Sequence, residues 1–485
     1  MLFNSMEFVL FFTVVFFVYH IALKEKTKPQ NVFLLAASYF FYGYADLRML
    51  PLLVGITIAF YFLGLVIGNA KTERMNTFWS VLGIVLGVGV LVYFKYLNFF
   101  IISFAKLFES MGLHTNIYTF NIVMPLGVSF FTFRLISYIV EVHRGTMEPT
   151  KDIVTFATYI SFFPCILSGP IDRPDFMDQL QKKRVFNYDM AVDGLRQILW
   201  GMFKKMVIAD NCAKYVDEVW NGYSNLSGST LILAAVLYSF QLYADFSGYS
   251  DMAIGVGKLL GFRITQNFKY PYFATNVAEF WKRWHISLTS WVTDYVFIPL
   301  NMMFRNLNKF GVILAILINM LIVGMWHEAN LTCVVYGLYH GLLFIPLVLS
   351  GSFNRRSRLQ TTRFGFPKIA DFGKMLLTFA LVTFSFIIFR SKSISQAWDF
   401  IGTMFTKDVF STPQHFDAFR GGYYIMLFLT IVLLLVVEWI QKEKEYPLDL
   451  SNIKSHGLKF MIYFALIVMI YWLGGQAETF IYFQF

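Results

Sequence analysis

The chain has 485 residues, of which 57% are hydrophobic and 14% are charged, and it contains 56 Phe and 27 Tyr. Its mean hydropathy of +0.57 excludes an ordinary soluble protein and indicates a polytopic membrane protein in a lipid bilayer. The formal net charge is +10, but the cations are dispersed in short loops between apolar runs, so they do not indicate nucleic-acid binding. The three cysteines are far apart, which excludes a full disulfide framework and a Cys-x-x-Cys metal or redox site.

The N-terminal third is predicted to consist of membrane-spanning helices, because a span needs about 20 apolar residues. The first run, at residues 6–23, has no basic residue before it and no small-residue cleavage site after it, so we expect a retained span. The run at 78–108 is too long for one span and contains Lys95, so it is predicted to break into two elements. Further spans are predicted at about residues 31–44, 49–68 and 122–140.

The middle of the chain departs from simple spans in two places. The segment 153–170 is apolar but carries helix breakers, which membranes tolerate only where the freed backbone faces protein or water, so we predict a re-entrant or broken helix. Helices are expected at about 190–208 and 230–244, whereas 265–305 is too rich in Trp, Asn, Lys, Arg and Pro for a lipid-facing span. The breakers and the polar residues after them are Pro164, Ser168, Gly169, Pro170, Asp172 and Arg173.

The last third contains five more candidate spans, at about 311–327, 330–350, 374–390, 422–440 and 458–474. The loop at 351–374 is strongly basic and therefore cytoplasmic by the positive-inside rule, which places both chain termini outside. The predicted fold is an all-α polytopic membrane protein with about 11 transmembrane helices and additional re-entrant or broken helices. We expect one integral-membrane domain over 1–485, with N-terminal helices at 1–120, a core at about 121–350 and C-terminal helices at about 374–485.

Two histidines lie where a membrane protein least accommodates ionisable groups. His285 ends the block Phe-Trp-Lys-Arg-Trp-His, and His327 ends an apolar run, flanked by Trp326, Glu328 and Asn330. A charge at the bilayer centre costs about 2.5 to 3.5 kcal/mol on insertion scales, so such groups usually line a cavity or take part in chemistry. For His327 the alternative is a core histidine that is hydrogen-bonded across helices, which is also the role expected of His340.

Polar residues concentrate before the first of these histidines, and we expect them to bind substrate or support the site. They are Asp245, Ser247, Tyr249, Ser250, Asp251, Asn276, Glu279, Trp281, Arg283 and Trp284. At membrane depth Asp245 and Asp251 each need a partner, and Lys282 and Arg283 are the predicted ones. The alternative for these two cations is an interfacial position with snorkelling side chains.

Several common catalytic patterns are absent. Residue 331 is Leu, so the zincin motif is missing, and no metal is expected. Residues 290 and 332 are Ser and Thr, so neither histidine belongs to a His-x4-Asp motif, and there is no Walker A loop or Gly-x-Ser-x-Gly elbow. A buried, neutral histidine suits a general base that takes a proton from an attacking hydroxyl, as in acyl transfer from a thioester to an alcohol.

Seven short blocks, in order along nearly the whole chain, carry a resemblance to a known family. They are Ser38–Gly43, Pro125–Phe130, Ser168–Arg173, Asp245–Asp251, Phe280–Leu288, Trp326-His327 and Phe480–Phe485. At these residues the chain resembles the membrane-bound O-acyltransferase family, and within it the alginate O-acetylase-like branch. The chain departs from the family at Glu328, since many members have Gly directly after the histidine that corresponds to His327.

The resemblance implies a helical core around a central funnel in the plasma (inner) membrane, with His327 as the principal catalytic histidine and His285 as the second. It implies an acyl group, with acetyl favoured, delivered from a cytoplasmic thioester (acetyl-CoA or acyl carrier protein) and no permanently bound cofactor. The acceptor would be a hydroxyl of an exported polysaccharide or a partner acyltransferase outside. The alternatives are D-alanyl transfer to a teichoic acid-like polymer, a transporter or flippase with a histidine proton relay, and a scaffold for secreted partners. The absence of an internal repeat weighs against a transporter built from inverted repeats.

Overall fold

The computed structural model describes residues 1–113, 118–353, 360–362, 365–405, 407–414, 423–475, 478, 480 and 481. Within these residues the fold is α-helical, and β structure is limited to an isolated bridge between Thr361 and Pro367. The chain divides into two compact units. The first comprises Met1–Leu195 with Ala253–Thr265, and the second comprises Arg196–Met252 with Gln266–Phe485. The single domain expected from the sequence stays a prediction.

The first unit contains eight complete helices in the described residues. They are α1 Met6–Phe17, α2 Thr27–Asp46, α3 Leu50–Gly68, α4 Glu73–Leu91, α5 Leu97–Ser110, α6 Val128–Arg144, α7 Ile153–Ser161 and α8 Phe176–Gln181. The predicted break in the run at 78–108 is confirmed, because a π-helical turn at Val92–Tyr96 separates α4 from α5. The last span predicted for the N-terminal third begins later than expected, since α6 follows Gly127, whose φ of +72° favours glycine.

The predicted broken helix at 153–170 is also confirmed. Helix α7 ends at Ser161, and the chain continues as buried turns to Pro170. The Arg134 guanidinium, only 1% exposed, donates hydrogen bonds to the carbonyl oxygens of Tyr159 and Pro170, each at 3.1 Å. These bonds satisfy carbonyls that the helix break leaves without helical partners.

The second unit contains the remaining helices, of which α9 begins in the first unit and α11 ends there. They are α9 Tyr188–Met202, α10 Asp210–Gly222, α11 Gly228–Leu259, α12 Val277–Trp281, α13 Ile286–Val292, α14 Ile298–Met303, α15 Asn308–His327, α16 Leu331–Leu349, α17 Ile369–Arg390, α18 Ile394–Met404, α19 Tyr423–Ile440 and α20 His456–Leu473. A π-helical turn, Phe203–Ala209, joins α9 to α10. As its composition suggests, the segment at 265–305 forms short helices separated by turns.

Two elements of the second unit differ from the sequence expectation. The helix predicted at 230–244 continues to Leu259, because the polar block that follows residue 244 finds buried partners instead of ending the helix. Helix α18 was not expected, because the sequence predicted no helix between the candidate spans at 374–390 and 422–440. It buries Ala397, Phe400, Ile401 and Met404 at helical spacing.

The prediction of a polytopic all-α membrane protein is confirmed. Among the described residues, seven helical segments are long and apolar enough to cross a bilayer, and two shorter apolar helices accompany them. Two of the seven, Thr27–Gly68 and Glu73–Ser110, each contain two successive helices. All four arginines of the basic loop at 351–374 lie outside the described residues, so the sidedness of the termini stays a prediction. They are Arg355, Arg356, Arg358 and Arg363.

The hairpin of α15 and α16 positions His327 at its bend. The two helices approach closely at Gly324 and Gly337: a Cβ on Gly324 would lie 2.2 Å from the Cys333 carbonyl oxygen, and one on Gly337 would lie 2.4 Å from that of Met320. Small residues allow membrane helices to pack backbone against backbone. This contact therefore fixes the end of α15, where the histidine lies.

We expect Gly337→Leu to destabilise the folded protein by about 1–3 kcal/mol, because the added side chain must separate the two backbones. Resistance to unfolding by sodium dodecyl sulfate, measured on purified protein, checks this expectation. Gly89→Leu is the matched control, since Gly89 is also helical and has no heavy atom within 4 Å of its ideal Cβ position. Equal stability of the two variants would show that the close contact does not hold the hairpin.

Candidate active site

His285 lies in a left-handed turn between α12 and α13. Its φ is +47°, and its side chain is completely buried. A residue other than glycine adopts this conformation only where its surroundings hold it, and such residues cluster at functional sites. His285 is therefore placed by the local fold and not by a regular helix.

The hydrogen bonds around His285 define its tautomer. Its Nδ1 lies 3.1 Å from Oδ1 of Asn267, and the same oxygen accepts from the backbone N–H of Ser287 at 3.3 Å and from the Ser287 hydroxyl at 2.9 Å. A backbone N–H can only donate, so the Asn267 amide must present its oxygen to this turn. Nδ1 of His285 consequently carries the proton, and Nε2 carries the lone pair.

His327 meets His285 from a different element. It is the last residue of α15 and is 3% exposed, and the centroids of the two imidazole rings are 6.2 Å apart. The Trp326 indole lies against both, at 5.3 Å from His285 and 5.2 Å from His327. The structure thus brings together the two histidines that the sequence singled out.

Burial lowers the pKa of His285 well below its ordinary value, and the neighbouring His327 lowers it further. The ring is therefore neutral at pH 7, and with its proton on Nδ1 the nitrogen that can act as a hydrogen-bond acceptor or base is Nε2.

The acidic residues of the polar block are paired, but not as the sequence predicted. Asp245 lies 2.7 Å from Nζ of Lys205, and Asp251 lies 2.6 Å from Nζ of Lys204. The prediction that Lys282 and Arg283 are the partners was wrong. Arg283 pairs with Glu279 at 2.5 Å, and Lys282 is exposed.

The reason for this difference is the packing of α9 against α11, next to the π-helical turn that carries Lys204 and Lys205. Gly201 and Gly248 allow α9 and α11 to approach closely, since a Cβ on Gly201 would lie 2.6 Å from the Gly248 carbonyl oxygen. This contact brings Lys204 and Lys205 against the acidic face of α11. Two consecutive lysines in an otherwise apolar run were the signal that would have identified them.

Residues of the predicted site around α12 mostly build its frame. Asn276 caps α12 by accepting from the Glu279 backbone N–H at 2.9 Å, and Glu279 also accepts from Thr275. Trp281 donates to Nδ1 of His340 at 3.2 Å, and Nε2 of His340 lies 3.0 Å from the Ser385 hydroxyl, so His340 is hydrogen-bonded across helices as expected.

The other predicted residues are also placed by the structure. Ser250 accepts from the Asn267 amide at 3.1 Å, which links the polar block to His285. Asn330 caps α16, and Glu328 is a half-buried, extended residue directly after α15. Three more, Ser247, Tyr249 and Trp284, are buried in the second unit, whereas Ser168, Gly169, Pro170, Asp172 and Arg173 belong to the first.

A cavity of about 440 Å³ lies in the second unit beside the histidine turn. Its wall includes Trp281 and Ile286, which flank that turn, and Val323, one helical turn before His327. Ligand sites in proteins typically enclose about 300–1,000 Å³ and combine apolar walls with a few polar groups. The polar groups here are Lys282, Thr289, Ser290, Thr293, Asp294 and Asn319. Among the described residues, no three His, Cys, Asp or Glu side chains come together as metal ligands.

Comparisons with known proteins agree with this architecture. The family model of the membrane-bound O-acyltransferases matches residues 149–387. A probable alginate O-acetylase of Pseudomonas aeruginosa is 35% identical over 90% of this chain and 80% of its own length, and a peptidoglycan O-acetyltransferase of Helicobacter pylori is 32% identical over 82% and 78%. A teichoic acid D-alanyltransferase of Streptococcus thermophilus is 29% identical over 56% of this chain and 69% of its own. The resemblance found in the sequence is confirmed: the chain belongs to the membrane-bound O-acyltransferase family and is a multi-pass membrane O-acyltransferase.

Proposed function

We propose that the protein transfers an acetyl group from a thioester donor to a hydroxyl of an exported polysaccharide or of a partner acyltransferase, with His327 as general base. The observation that carries this proposal is the pair of buried histidines, with ring centroids 6.2 Å apart. Ile286, directly after His285, and Val323, one helical turn before His327, line a ligand-sized cavity. Two of the similar proteins, a probable alginate O-acetylase and a peptidoglycan O-acetyltransferase, support a carbohydrate acceptor.

The reaction needs a base and a site that excludes water. The hydroxyl oxygen attacks the thioester carbonyl carbon while His327 takes the hydroxyl proton. The tetrahedral intermediate then collapses, the carbon–sulfur bond breaks, and the imidazolium of His327 returns the proton to the leaving thiolate. The exposure of 3% or less at both histidines supports the exclusion of bulk water.

Two roles are open to His285: positioning the donor, or stabilising the developing negative charge. A neutral ring with its proton on Nδ1 accepts at Nε2 and cannot donate a hydrogen bond to an oxyanion from that atom. The tautomer therefore favours the positioning role, in which Nε2 accepts from an amide or hydroxyl of the substrates.

The cavity beside the histidines suits the donor. Acetyl-CoA and an acylated carrier protein share a phosphopantetheine arm, which combines a narrow chain, two amides and a phosphate. Apolar walls with hydroxyl and amide groups fit the chain, and the exposed ammonium of Lys282 fits a phosphate. No permanently bound cofactor is needed.

Replacing Lys282 with methionine is expected to raise KM for the donor by about 2- to 5-fold without changing kcat, because an exposed ion pair contributes less than about 1 kcal/mol. Steady-state kinetics with acetyl-CoA and, separately, with an acetylated carrier protein identify which donor loses affinity. Lys269→Met removes an exposed lysine that does not line the cavity and serves as the control. The same KM in both variants would rule out a phosphate contact at Lys282.

The proposed location is the plasma (inner) membrane, with both termini outside and the donor arriving from the cytoplasm. An extracytoplasmic acyltransferase or polysaccharide-export protein would receive the product. These points follow from the distribution of positive charge between the spans and from the family's chemistry.

Purified protein in lipid nanodiscs, supplied with isotopically labelled acetyl-CoA or D-alanyl carrier protein, tests the function directly. Mass spectrometry of surface polysaccharide from a strain that lacks the chain shows which acyl group disappears and from which sugar. Loss of D-alanine instead of acetate would support teichoic acid-type transfer. Substrate movement in vesicles without any acyl donor, abolished by loss of both histidines, would support a transporter.

A further inference from the structure

We infer that Asn267 is a positioning residue for acyl transfer, holding His285 in one tautomer and in its left-handed backbone conformation. The inference rests on the proposed function of the histidine pair. Asn267 lies in the loop after α11, 0% exposed, and has no contact that identifies it as a reacting group. Its sequence context, a single asparagine in a loop, carries no catalytic signal of its own.

The backbone and side chain of Asn267 both bind the histidine turn. Its carbonyl oxygen accepts from the Ile286 N–H at 2.8 Å, and its amide oxygen accepts from the Ser287 N–H at 3.3 Å. These two N–H groups directly follow the left-handed residue His285. One asparagine therefore holds the chain at the point where φ becomes positive.

The same amide oxygen orients the imidazole. It lies 3.1 Å from Nδ1 of His285, while the amide NH₂ donates to the Ser250 hydroxyl at 3.1 Å, which fixes the amide in turn. Without this oxygen the neutral ring can carry its proton on either nitrogen. In the tautomer with the proton on Nε2, the nitrogen opposite Nδ1 can no longer accept from substrate.

Apolar packing does not replace this control. Phe246 meets the His285 ring edge-on at 4.7 Å and Phe268 lies roughly parallel to it at 6.4 Å, contacts that restrict the ring plane but do not distinguish the two nitrogens. Among the described residues, the ring contacts Phe246, Phe268, Trp326 and His327, and Asn267 lies at hydrogen-bond distance from it. His327 is the titratable member of this set. Asn267 is the group among them that selects the tautomer.

Three variants of the full-length protein in nanodiscs test the inference. Asn267→Ala removes the amide and is expected to lower kcat by about 10- to 100-fold, the range found for groups that orient metal-ligating histidines through their second ring nitrogen. Asn267→Asp keeps an oxygen against Nδ1 and is expected to retain kcat at high pH. Its carboxylate favours the imidazolium, so the acid limb of the kcat–pH profile should move up by about 1 to 3 pH units.

Ser287→Ala is the matched control, because it removes a 2.9 Å hydrogen bond to the same oxygen but leaves the contact of Asn267 with His285. It should keep kcat and the pH profile of the unmodified protein. If Ser287→Ala lowers kcat as much as Asn267→Ala, or if the pH profile of Asn267→Asp is unchanged, Asn267 has only a structural role and the inference is overturned. Failure of the proposed function is distinguishable, since it would appear as full acyl transfer by His327→Ala.

Discussion

Replacing His327 with alanine is expected to lower acyl-transfer turnover by roughly 10²- to 10⁴-fold, the usual contribution of a positioned general base. The ring lies at the end of α15 against Trp326 and Phe389, one helical turn after Val323, which lines the cavity. The assay is acetyl transfer by purified protein at saturating donor. Because the base acts in the chemical step, kcat should fall while KM for the donor changes little.

His456→Ala is the control for this measurement. His456 is exposed at the start of α20, so its loss removes a histidine of the same chain without touching the pair. A stably folded His327→Ala protein with unchanged turnover would exclude the general-base role. The same protein would then have to use another base or act as a scaffold.

The sequence predicts much of this fold because the bilayer imposes a simple constraint. Long apolar runs, the break at 92–96 and the broken helix after Ser161 all follow from hydropathy and from residues that interrupt helices. The convergence of His285 and His327 was expected for the same reason, since ionisable groups at membrane depth must share a cavity or a partner.

Partner assignments could not be predicted in this way. Lys282 and Arg283 follow Asp251 by 31 and 32 positions, whereas the lysines that pair with Asp245 and Asp251 precede them by 40 and 47 positions. Sequence distance does not separate these two pairs of cations; helix packing at Gly201 and Gly248 decides which side chains meet. The role of Asn267 depends likewise on hydrogen bonds to residues about 20 positions later, which no local pattern signals.

The buried ion cluster of Lys205, Asp210 and Asp245 leads to the second large expected effect. The Lys205 ammonium lies 2.8 Å from Asp210 and 2.7 Å from Asp245, and all three side chains are at most 6% exposed. Burial opposes ionisation of Lys205, but the two carboxylates outweigh it and raise its pKa. Asp245 also accepts from the Ile481 N–H at 2.8 Å, so the cluster holds part of the C-terminal segment.

Lys205→Met is expected to lower the free energy of unfolding by about 3–5 kcal/mol, because it leaves two buried carboxylates without their cation. Unfolding in sodium dodecyl sulfate, followed by circular dichroism, measures the loss. Lys71→Met, which removes an exposed lysine before α4, should change stability by less than about 0.5 kcal/mol.

Adding Asp210→Asn and Asp245→Asn to Lys205→Met removes the uncompensated charges and should recover much of the lost stability. The reason is that the cost arises from desolvated carboxylates and not from the missing lysine itself. A triple variant as unstable as Lys205→Met would show instead that packing of the lysine side chain, and not charge compensation, stabilises this part of the second unit.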